Sequence, residues 1–288
     1  MDRRVIMPFC ISLLFVLLCS SVLGQSHPGH AVLTETAAVS HADGNAKVAV
    51  TAPRSLLTAI HAIRSEYGWV VDYEDPIYIP ADLVDATDPA WRSANPSAKG
   101  ATAPAGSAFT TSFDEHSASE LLTAAGETRV LNKVIDDYNS SDQPGRFQLK
   151  NTDGRLRVVG IASKAASTDQ PPLSILDTKI TLPVQTRTAD QAVKDILAAL
   201  SAATHINTVE VLVPINVMQG STSIGGSDVE ARVLLEEVIT AVNRKLYWEL
   251  IYYPDTSTYM FNLYPKTMAY YDVRHRRIEV VDDKPAEQ

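Results

Sequence analysis

The sequence has only two cysteines, Cys10 and Cys19, and both lie close to its start. The rest of the chain therefore offers no thiol for a disulfide, a thiolate nucleophile or a cysteine metal ligand. A domain without disulfides must obtain its stability mainly from buried apolar surface. The chain has 288 residues, of which 45% are hydrophobic. That is enough for one large packed unit or two small ones.

Positive charge is also scarce. Lys and Arg number 25 against 34 Asp and Glu, so the net charge is −9 with His neutral. Proteins bind polyanions mainly through clustered Lys and Arg, and this balance therefore argues against nucleic acid as a partner. Long apolar runs are absent after residue 24, so we expect no transmembrane span in the remainder of the chain.

Common catalytic motifs are absent from the sequence. It has no Gly-x-Gly-x-x-Gly, Walker, His-Glu-x-x-His or Gly-x-Ser-x-Gly pattern. The sequence thus predicts a protein that is not an enzyme and uses no cofactor. Asp136-Asp137 and Glu236-Glu237 are acidic pairs on predicted helices. Adjacent helical residues point in different directions, which favours solvated faces over acid–base chemistry.

The first 24 residues have the form of a secretory signal peptide. Two arginines precede an apolar stretch from Val5 to Leu18, and Val22 and Gly24 fit the −3 and −1 positions of a cleavage site. Cleavage after Gly24 predicts a periplasmic or secreted protein. An uncleaved membrane anchor is one alternative, although the run is marginal for a span of about 20 residues. A lipoprotein signal at Cys19 is a second alternative.

Residues 25–46 are small and polar and predict a flexible lead-in to the fold. His27, His30 and His41 lie in this segment and are the candidates for a transition-metal site, because imidazole is a common metal ligand. No further ligand pattern accompanies them. A solvated segment that binds no metal is therefore the favoured interpretation.

Residues 47–161 predict a first α+β unit. A strand at 47–51, an amphipathic helix ending at Gly68 and a strand at 69–73 are followed by a strand from Ala108, a helix from Thr128 to Asn139 and a hairpin over 147–161. The apolar residues of the first helix recur at helical spacing. They are Leu56, Leu57, Ile60 and Ile63.

An insert at 74–107 interrupts this unit. Its stretch 85–107 is rich in Ala, Pro, Ser and Thr and predicts a long exposed loop. Trp91 is the one large apolar residue of that stretch. We expect Trp91 either to anchor the loop by packing on the domain or to contact a partner.

A second unit repeats the order of the first. Residues 162–177 contain Pro171-Pro172 and predict a Pro/Ser linker, residues 178–266 predict the second α+β unit, and residues 267–288 form a tail with one added edge strand. Each unit has the order strand, helix, strand, insert, strand, helix, hairpin. The predicted fold class is α+β, with two tandem small sheets each covered by two helices in a β-α-β-β-α-β-β arrangement.

The second helices of the two units match most closely. Val134-Ile135 corresponds to Val238-Ile239 and Asn139 to Asn243, at a constant offset of 104 positions. The two sequences are otherwise different. The repeat is therefore a hypothesis about structure.

The second unit resembles the STN domain, the short N-terminal domain of secretins and TonB proteins. Leu197, Leu200, Ala203 and Pro214 fit the first part of the pattern of that family, and Leu234-Leu235, Tyr247 to Leu250 and Tyr259 to Phe261 fit the second. The resemblance covers about 178–264 and, more loosely, 47–161. STN domains carry no catalytic residues and act as contact modules. The resemblance implies a free-standing envelope protein that binds another protein or a small ligand.

The hairpin that ends the second unit is unusually aromatic. Alternation places Tyr247 and Tyr253 on one face and Trp248 and Tyr252 on the other. We expect one face to pack on helices and the other to present Tyr247 and Tyr253, with cross-strand aromatic pairing as the alternative. Together with Trp91, these two tyrosines are the predicted binding residues.

A function of a different class stays open. The chain could be a secreted hydrolase or a carbohydrate-binding protein whose cleft lies between the two units. Acids from both halves, such as Asp72 and Glu210, would then have to converge on one pocket.

Overall fold

The computed structural model describes residues 35–115, 121, 123–152, 154–162, 174–242, 246–272 and 277–282. Beyond residue 266 it describes the backbone alone. The predicted signal peptide at 1–24, most of the lead-in and residues 163–173 of the linker lie outside the described residues. Among the described helices, none is long and apolar enough to cross a membrane. We refer to residues 35–162 as the first half and to residues 174–266 as the second half.

The fold is of the α+β class, as the sequence predicts. The helices with described bounds are α1 (Ser55–Tyr67), α2 (Pro89–Ala94), α3 (Ala124–Ser140), α4 (Ala189–Thr204) and α5 (Ala231–Val242). The strands are β1 (Thr36–Ala42), β2 (Asn45–Thr51), β3 (Val71–Glu74), β4 (Leu83–Asp85), β5 (Thr102–Pro104), β6 (Ala108–Asp114), β7 (Arg146–Thr152), β8 (Arg155–Ala162), β9 (Lys179–Thr188), β10 (Asn207–Leu212), β11 (Ser221–Glu230), β12 (Leu246–Tyr253), β13 (Thr258–Pro265), β14 (Thr267–Asp272) and β15 (Arg277–Asp282).

A six-stranded mixed sheet takes three strands from each half. Its order is β10-β13-β12-β3-β8-β7. β10 runs parallel to β13 and β3 runs parallel to β8, while β12-β13 and β7-β8 are antiparallel hairpins. The halves meet where β3 runs parallel to β12, with Tyr73 opposite Glu249 and Glu74 opposite Leu250. The strands expected in two separate small sheets thus lie edge to edge in one.

Each half also has a small antiparallel sheet. Its strands are β1-β2-β6 in the first half and β9-β11 in the second. β1 lies within the segment predicted to be flexible, so that prediction is wrong for Thr36–Ala42. The side chains of β1 are mostly exposed and show no apolar alternation. Backbone pairing with β2 forms this strand, and a search for hydrophobic periodicity cannot find it.

The helices bury the apolar faces that the sequence predicts. Leu56, Ile60 and Ile63 of α1 lie in one core with residues of α3, and Val193 and Ile196 of α4 lie in a second core with residues of α5. Threonine side chains cap the N-termini of α3 and α4 by accepting a hydrogen bond from the backbone N–H three residues on. Each half thus has its own apolar core.

The insert at 74–107 is folded, contrary to the exposed loop predicted for most of it. β4 pairs with β5, and Asp88 caps α2 by accepting from the Trp91 N–H at 2.7 Å. Arg92 donates to the Asp85 carboxylate at 2.7 Å and to the Thr87 hydroxyl at 2.9 Å. Polar side chains supply the cross-links of this segment, so its poor apolar content does not prevent order.

The last residues of the predicted linker are packed as well. Ile175–Asp177 forms a 3-10 turn, and Leu176 is fully buried in the core of the second half. The carboxylate of Asp177 accepts from Arg232 at 2.8 Å. The second half therefore begins at Ser174 in the described chain.

Candidate functional site

Buried charged side chains concentrate where the two halves meet. We call this region the seam and define it as the β3–β12 contact with the charged residues that surround it. Its charged members are Arg54, Arg64, Asp72, Glu74, Asp75, Arg155, Arg157, Arg232, Glu236 and Glu249. A run of three acids at Asp72-Tyr73-Glu74-Asp75 sits on or directly after a buried strand. Because burial of an unpaired charge is costly, this run was a sequence signal for specific cationic partners.

Asp72 ties the first half to the start of β12. Its Oδ1 accepts from the Trp248 backbone N–H at 3.0 Å and from Arg155 at 2.7 Å, and Arg155 reaches Oδ2 at 2.5 Å. Arg155 also donates to the Leu246 carbonyl at 2.9 Å and lies 4.6 Å from the centroid of the Trp248 ring. Burial raises the pKa of Asp72, and Arg155 opposes that rise.

Within the described chain, the donors to Glu74 all belong to the second half. Arg232 donates to both of its carboxylate oxygens, the Ser174 hydroxyl donates at 2.5 Å and the Trp248 indole N–H donates at 3.2 Å. Arg232 is held in turn by Asp177. Burial works against the charge on Arg232, but Glu74 and Asp177 outweigh it and raise the pKa of the guanidinium. This bidentate ion pair between Arg232 and Glu74 fixes the orientation of α5 against β3.

Asp75 continues the same pattern just past the end of β3. Its Oδ2 accepts from Arg54 at 2.8 Å and from the Tyr252 backbone N–H at 3.1 Å. Its Oδ1 accepts from the phenols of Tyr73 at 2.8 Å and Tyr78 at 2.9 Å. Burial, reinforced by the charge of Asp75, raises the pKa of both tyrosines well above the ordinary value, so both phenols stay protonated donors.

Glu249 makes the reciprocal contact from the second half. It accepts from His61 at 2.6 Å and from Arg64, both of which lie on α1. Arg64 also lies over the Tyr247 ring, 4.4 Å from its centroid. Burial alone would raise the pKa of Glu249, but His61 and Arg64 outweigh burial and lower it.

A further ion pair borders a surface cavity. Arg157 lies 2.5 Å from the Glu236 carboxylate; burial lowers the pKa of Arg157 and raises that of Glu236. Glu236 and Glu237 help to line a cavity of about 480 Å³ between β11 and α5. The expected solvated face holds for Glu237, which is exposed, but not for Glu236, which is half-buried and paired.

The two predicted hairpin tyrosines are half-buried and face the first half. Tyr247 stacks on Tyr264 with ring centroids 5.3 Å apart, the cross-strand pairing that was the alternative. Tyr253 packs against the core of the first half, and the Arg54 guanidinium lies 5.3 Å from its ring centroid. The hairpin face expected to be open to a partner is therefore partly covered by the region around α1.

The insert that carries Trp91 is fastened to the turn of the second hairpin. The backbone N–H and hydroxyl of Thr102 donate to the Asp255 carboxylate at 2.9 and 2.5 Å, and Lys99 donates to the Asp255 carbonyl at 2.9 Å. Trp91 itself is half-buried. The structure thus joins the segment of Trp91 to the hairpin end that bears Tyr253, while Tyr247 lies at the other end of β12.

The metal-ligand candidates are not gathered within the described chain. The two ring nitrogens of His41 lie 2.7 Å from Glu115 and 3.2 Å from Glu66, and the hydrogen bond with Glu115 is the main cause of a raised His41 pKa. In the part of the chain that the structure describes, no group of three or more His, Cys, Asp or Glu is arranged to hold a metal ion. His27 and His30 lie outside that part.

The two acids predicted for a hydrolase or carbohydrate-binding cleft, Asp72 and Glu210, do not lie together. Asp72 lies in β3 and Glu210 in β10, with β12 and β13 between their strands. Asp72 is paired with Arg155, whereas Glu210 lies 3.8 Å from Lys194. Strand pairing and ion pairs occupy the boundary where a cleft was expected, and these two carboxylates do not share a pocket.

The seam is the feature that the sequence analysis missed, because it consists of contacts between residues far apart in the chain. The resemblance to STN domains, by contrast, rests on hydrophobic spacing within short segments. Comparison of the chain with protein-family models, with curated proteins and with solved structures found no match.

Proposed function

We propose that the chain is an exported, non-enzymatic binding module of the cell envelope, in which both halves form one rigid support. The observation that carries the proposal is the use of the β3 acids. Asp72, Glu74 and Asp75 each accept hydrogen bonds from the second half. Buried ion pairs add little net stability over apolar packing, but their directional bonds fix geometry. A fixed geometry suits a contact surface composed of both halves.

We further propose that the halves are copies of one STN-like unit. In support, β2-β6 and β9-β11 pair antiparallel, β3-β8 and β10-β13 pair parallel, and each half ends in a hairpin. The first helix of each half ends at a left-handed residue, Gly68 with φ 65° and His205 with φ 58°. These two helix ends set an offset of 137 positions between the strands that follow.

The contact surface we propose is the insert together with the turn of the second hairpin. Ile77 and Val84 of the insert are 46% and 48% exposed, and Trp91 is half-buried nearby in the sequence. Exposed apolar side chains around an aromatic residue are typical of contact sites. Tyr253 packs against the core of the first half and so holds this end of the hairpin in place. The partner is another envelope protein or a small ligand.

The test uses affinity capture from an envelope extract with the full chain, exported by its own leader, as bait. Val84→Asp combined with Trp91→Ala should reduce capture of one defined partner about tenfold, the effect of losing a contact hot spot. Val233→Asp on α5 is the matched control, since Val233 is 39% exposed and lies on another element.

Equal capture by all three baits would refute this surface, and so would an equal loss with Val233→Asp. The exported bait should begin at Gln25. A product that retains Met1 and stays in the cytosol would refute the assignment to the envelope.

A further inference from the structure

The strand pairing that joins the two halves could also form between two copies of the chain. The first half contributes β3, the strand after its first helix, and the second half contributes β12, the first strand of its hairpin. The two surfaces differ, so the joint is heterologous. A heterologous joint leaves one unused surface of each type, and such surfaces can join copies head to tail.

The two ends of the six-stranded sheet carry the corresponding strands. At one end lies β10, which follows the first helix of the second half, and at the other lies β7, the first strand of the hairpin in the first half. Among the described strands, β10 pairs only with β13 and β7 only with β8. Within that part of the chain each has a backbone edge that pairs with no strand. That edge begins beyond Phe147 on β7, whose N–H and carbonyl bond the Asn139 amide, and beyond Thr208 on β10, whose N–H and carbonyl bond the Ser201 hydroxyl.

The side chains of β10 differ from those of β3 in a way that suits a contact between molecules. At an offset of 137, the buried Asp72 and Glu74 of β3 correspond to Val209 and Val211 of β10. Acids that require buried cationic partners are thus replaced by valines, which can be buried against another molecule without a charged partner.

Apolar exposure is concentrated at the same edge. Val211, Leu212 and Ile215 are 48%, 40% and 61% exposed. Val211 and Leu212 end β10, and Ile215 lies in the turn after it. Exposed apolar residues on an unpaired edge strand are a ready site for strand addition. On β7, the residues Gln148 to Lys150 are half-buried, so this second edge is not fully covered, and the charge of Lys150 is paired with Asp177 at 2.9 Å.

We infer that β10 of one copy pairs in parallel with β7 of a second copy, so that the sheet continues from molecule to molecule. The internal joint gives the register. Tyr73 and Leu149 both lie opposite Val158, while Glu210 and Leu250 both lie opposite Phe261. Tyr73 therefore corresponds to Glu210, and Leu149 to Leu250.

This correspondence predicts specific neighbours across the new joint. Since Glu249 lies opposite Tyr73 in the internal joint, Gln148 of one copy should lie opposite Glu210 of the next. Leu149 should then face Val211 and Leu212, which share one position of the ladder because of a bulge. The inference rests on the proposed correspondence of the two halves, but it requires no envelope partner, so a failed cross-link leaves the capture experiment unaffected.

Cross-linking tests the register directly, since the chain beyond the predicted leader has no native cysteine. The full chain, with Cys10→Ser and Cys19→Ser so that no native thiol reacts, is prepared as Gln148→Cys and as Glu210→Cys and treated with a short bifunctional maleimide. A cross-linked dimer should form when the two variants are mixed, and neither variant alone should cross-link. A dimer from either variant alone would indicate a symmetric contact and overturn the inference, as would no dimer in the mixture.

Sedimentation velocity tests the edge itself. The average mass of the wild type should rise with concentration, whereas Val211→Lys should stay monomeric because a charge opposes strand addition. Val184→Lys is the matched control, since Val184 is 68% exposed but lies on β9, and it should associate as the wild type does. A monomeric wild type, or association that Val211→Lys leaves intact, would overturn the inference.

Discussion

A carboxylate at the seam has two effects, because the residues it binds belong to different halves of the chain. Glu249 lies on β12 and accepts from His61 and Arg64 on α1. Glu74 lies on β3 and accepts from Arg232 on α5. Removal of either acid leaves a buried cation with fewer partners, which costs far more than the loss of an exposed ion pair.

The lowered pKa of Glu249 makes stability depend on pH. The folded pKa lies below the ordinary value of 4.5, so the unfolded chain binds protons more readily over the interval between the two values. The contribution of Glu249 is therefore complete above its unfolded pKa and is lost as the pH falls through its folded pKa.

We expect the stability advantage of the wild type over Glu249→Gln to shrink as the pH is lowered from 6 to 3. Urea unfolding at a series of pH values measures this difference. Glu237→Gln is the control, because Glu237 is exposed on α5, and its difference from the wild type should stay flat. An advantage that grows on acidification would show that the pKa of Glu249 is not lowered.

Single residues also explain why part of the site could not be predicted. The acids of β3 are visible in the sequence, but their donors Arg155, Arg232 and Trp248 are 83 or more positions away. Asn139 is the opposite case. Its amide donates to the Phe147 carbonyl and accepts from the Phe147 N–H, so it fastens the end of α3 to β7 where only a helix end was predicted.

At the scale of elements, local patterns were sufficient for most helices and hairpins. α1 ends with Gly68 as its C-cap, as predicted, and the β7-β8 hairpin matches the predicted hairpin to within one residue at each end. Apolar spacing and turn residues determine such elements within a few positions. β1 and the insert were predicted wrongly, because a backbone ladder and polar cross-links form them and neither leaves an apolar pattern.

The helix ends allow a prediction at this scale. His205 is exposed and has a left-handed backbone at φ 58°, a conformation that costs a side-chain-bearing residue about 1 to 2 kcal/mol. His205→Gly should therefore raise the free energy of unfolding by about 0.5 to 1 kcal/mol, after allowance for the greater freedom of glycine in the unfolded chain.

Thr204→Gly is the matched control one position earlier, where the backbone is still helical. It should lower the free energy of unfolding by about 0.5 to 1 kcal/mol. Urea titration of both variants gives the two signs. A loss of stability in His205→Gly would show that its left-handed backbone is not a source of strain.

At the scale of the whole molecule, the class could be predicted and the connection between halves could not. The sequence predicts α+β units in a repeated order, and the fold is of the α+β class. Two sheets on a linker and one shared sheet are equally consistent with such a repeat. The choice depends on the seam, which consists of contacts between residues of the two halves.

The two cores each include a residue of the other half, Ile251 in the first and Tyr78 in the second, and they could unfold together or one after the other. Asp72, Glu74 and Asp75 each accept at least one hydrogen bond from the second half, so loss of that half removes a partner from all three. This coupling favours a single cooperative transition. It also implies that damage at the seam weakens both cores equally.

Hydrogen exchange measured by mass spectrometry across a urea titration shows whether the two halves unfold together, with β2 reporting on the first half and β13 on the second. In the wild type both strands should lose protection at the same urea concentration. Glu74→Gln should lower the free energy of unfolding by about 3 kcal/mol and therefore shift the urea midpoints of both strands down by the same amount. Glu237→Gln should leave both midpoints unchanged. Different midpoints for the two strands, or a shift of only one in Glu74→Gln, would contradict the account.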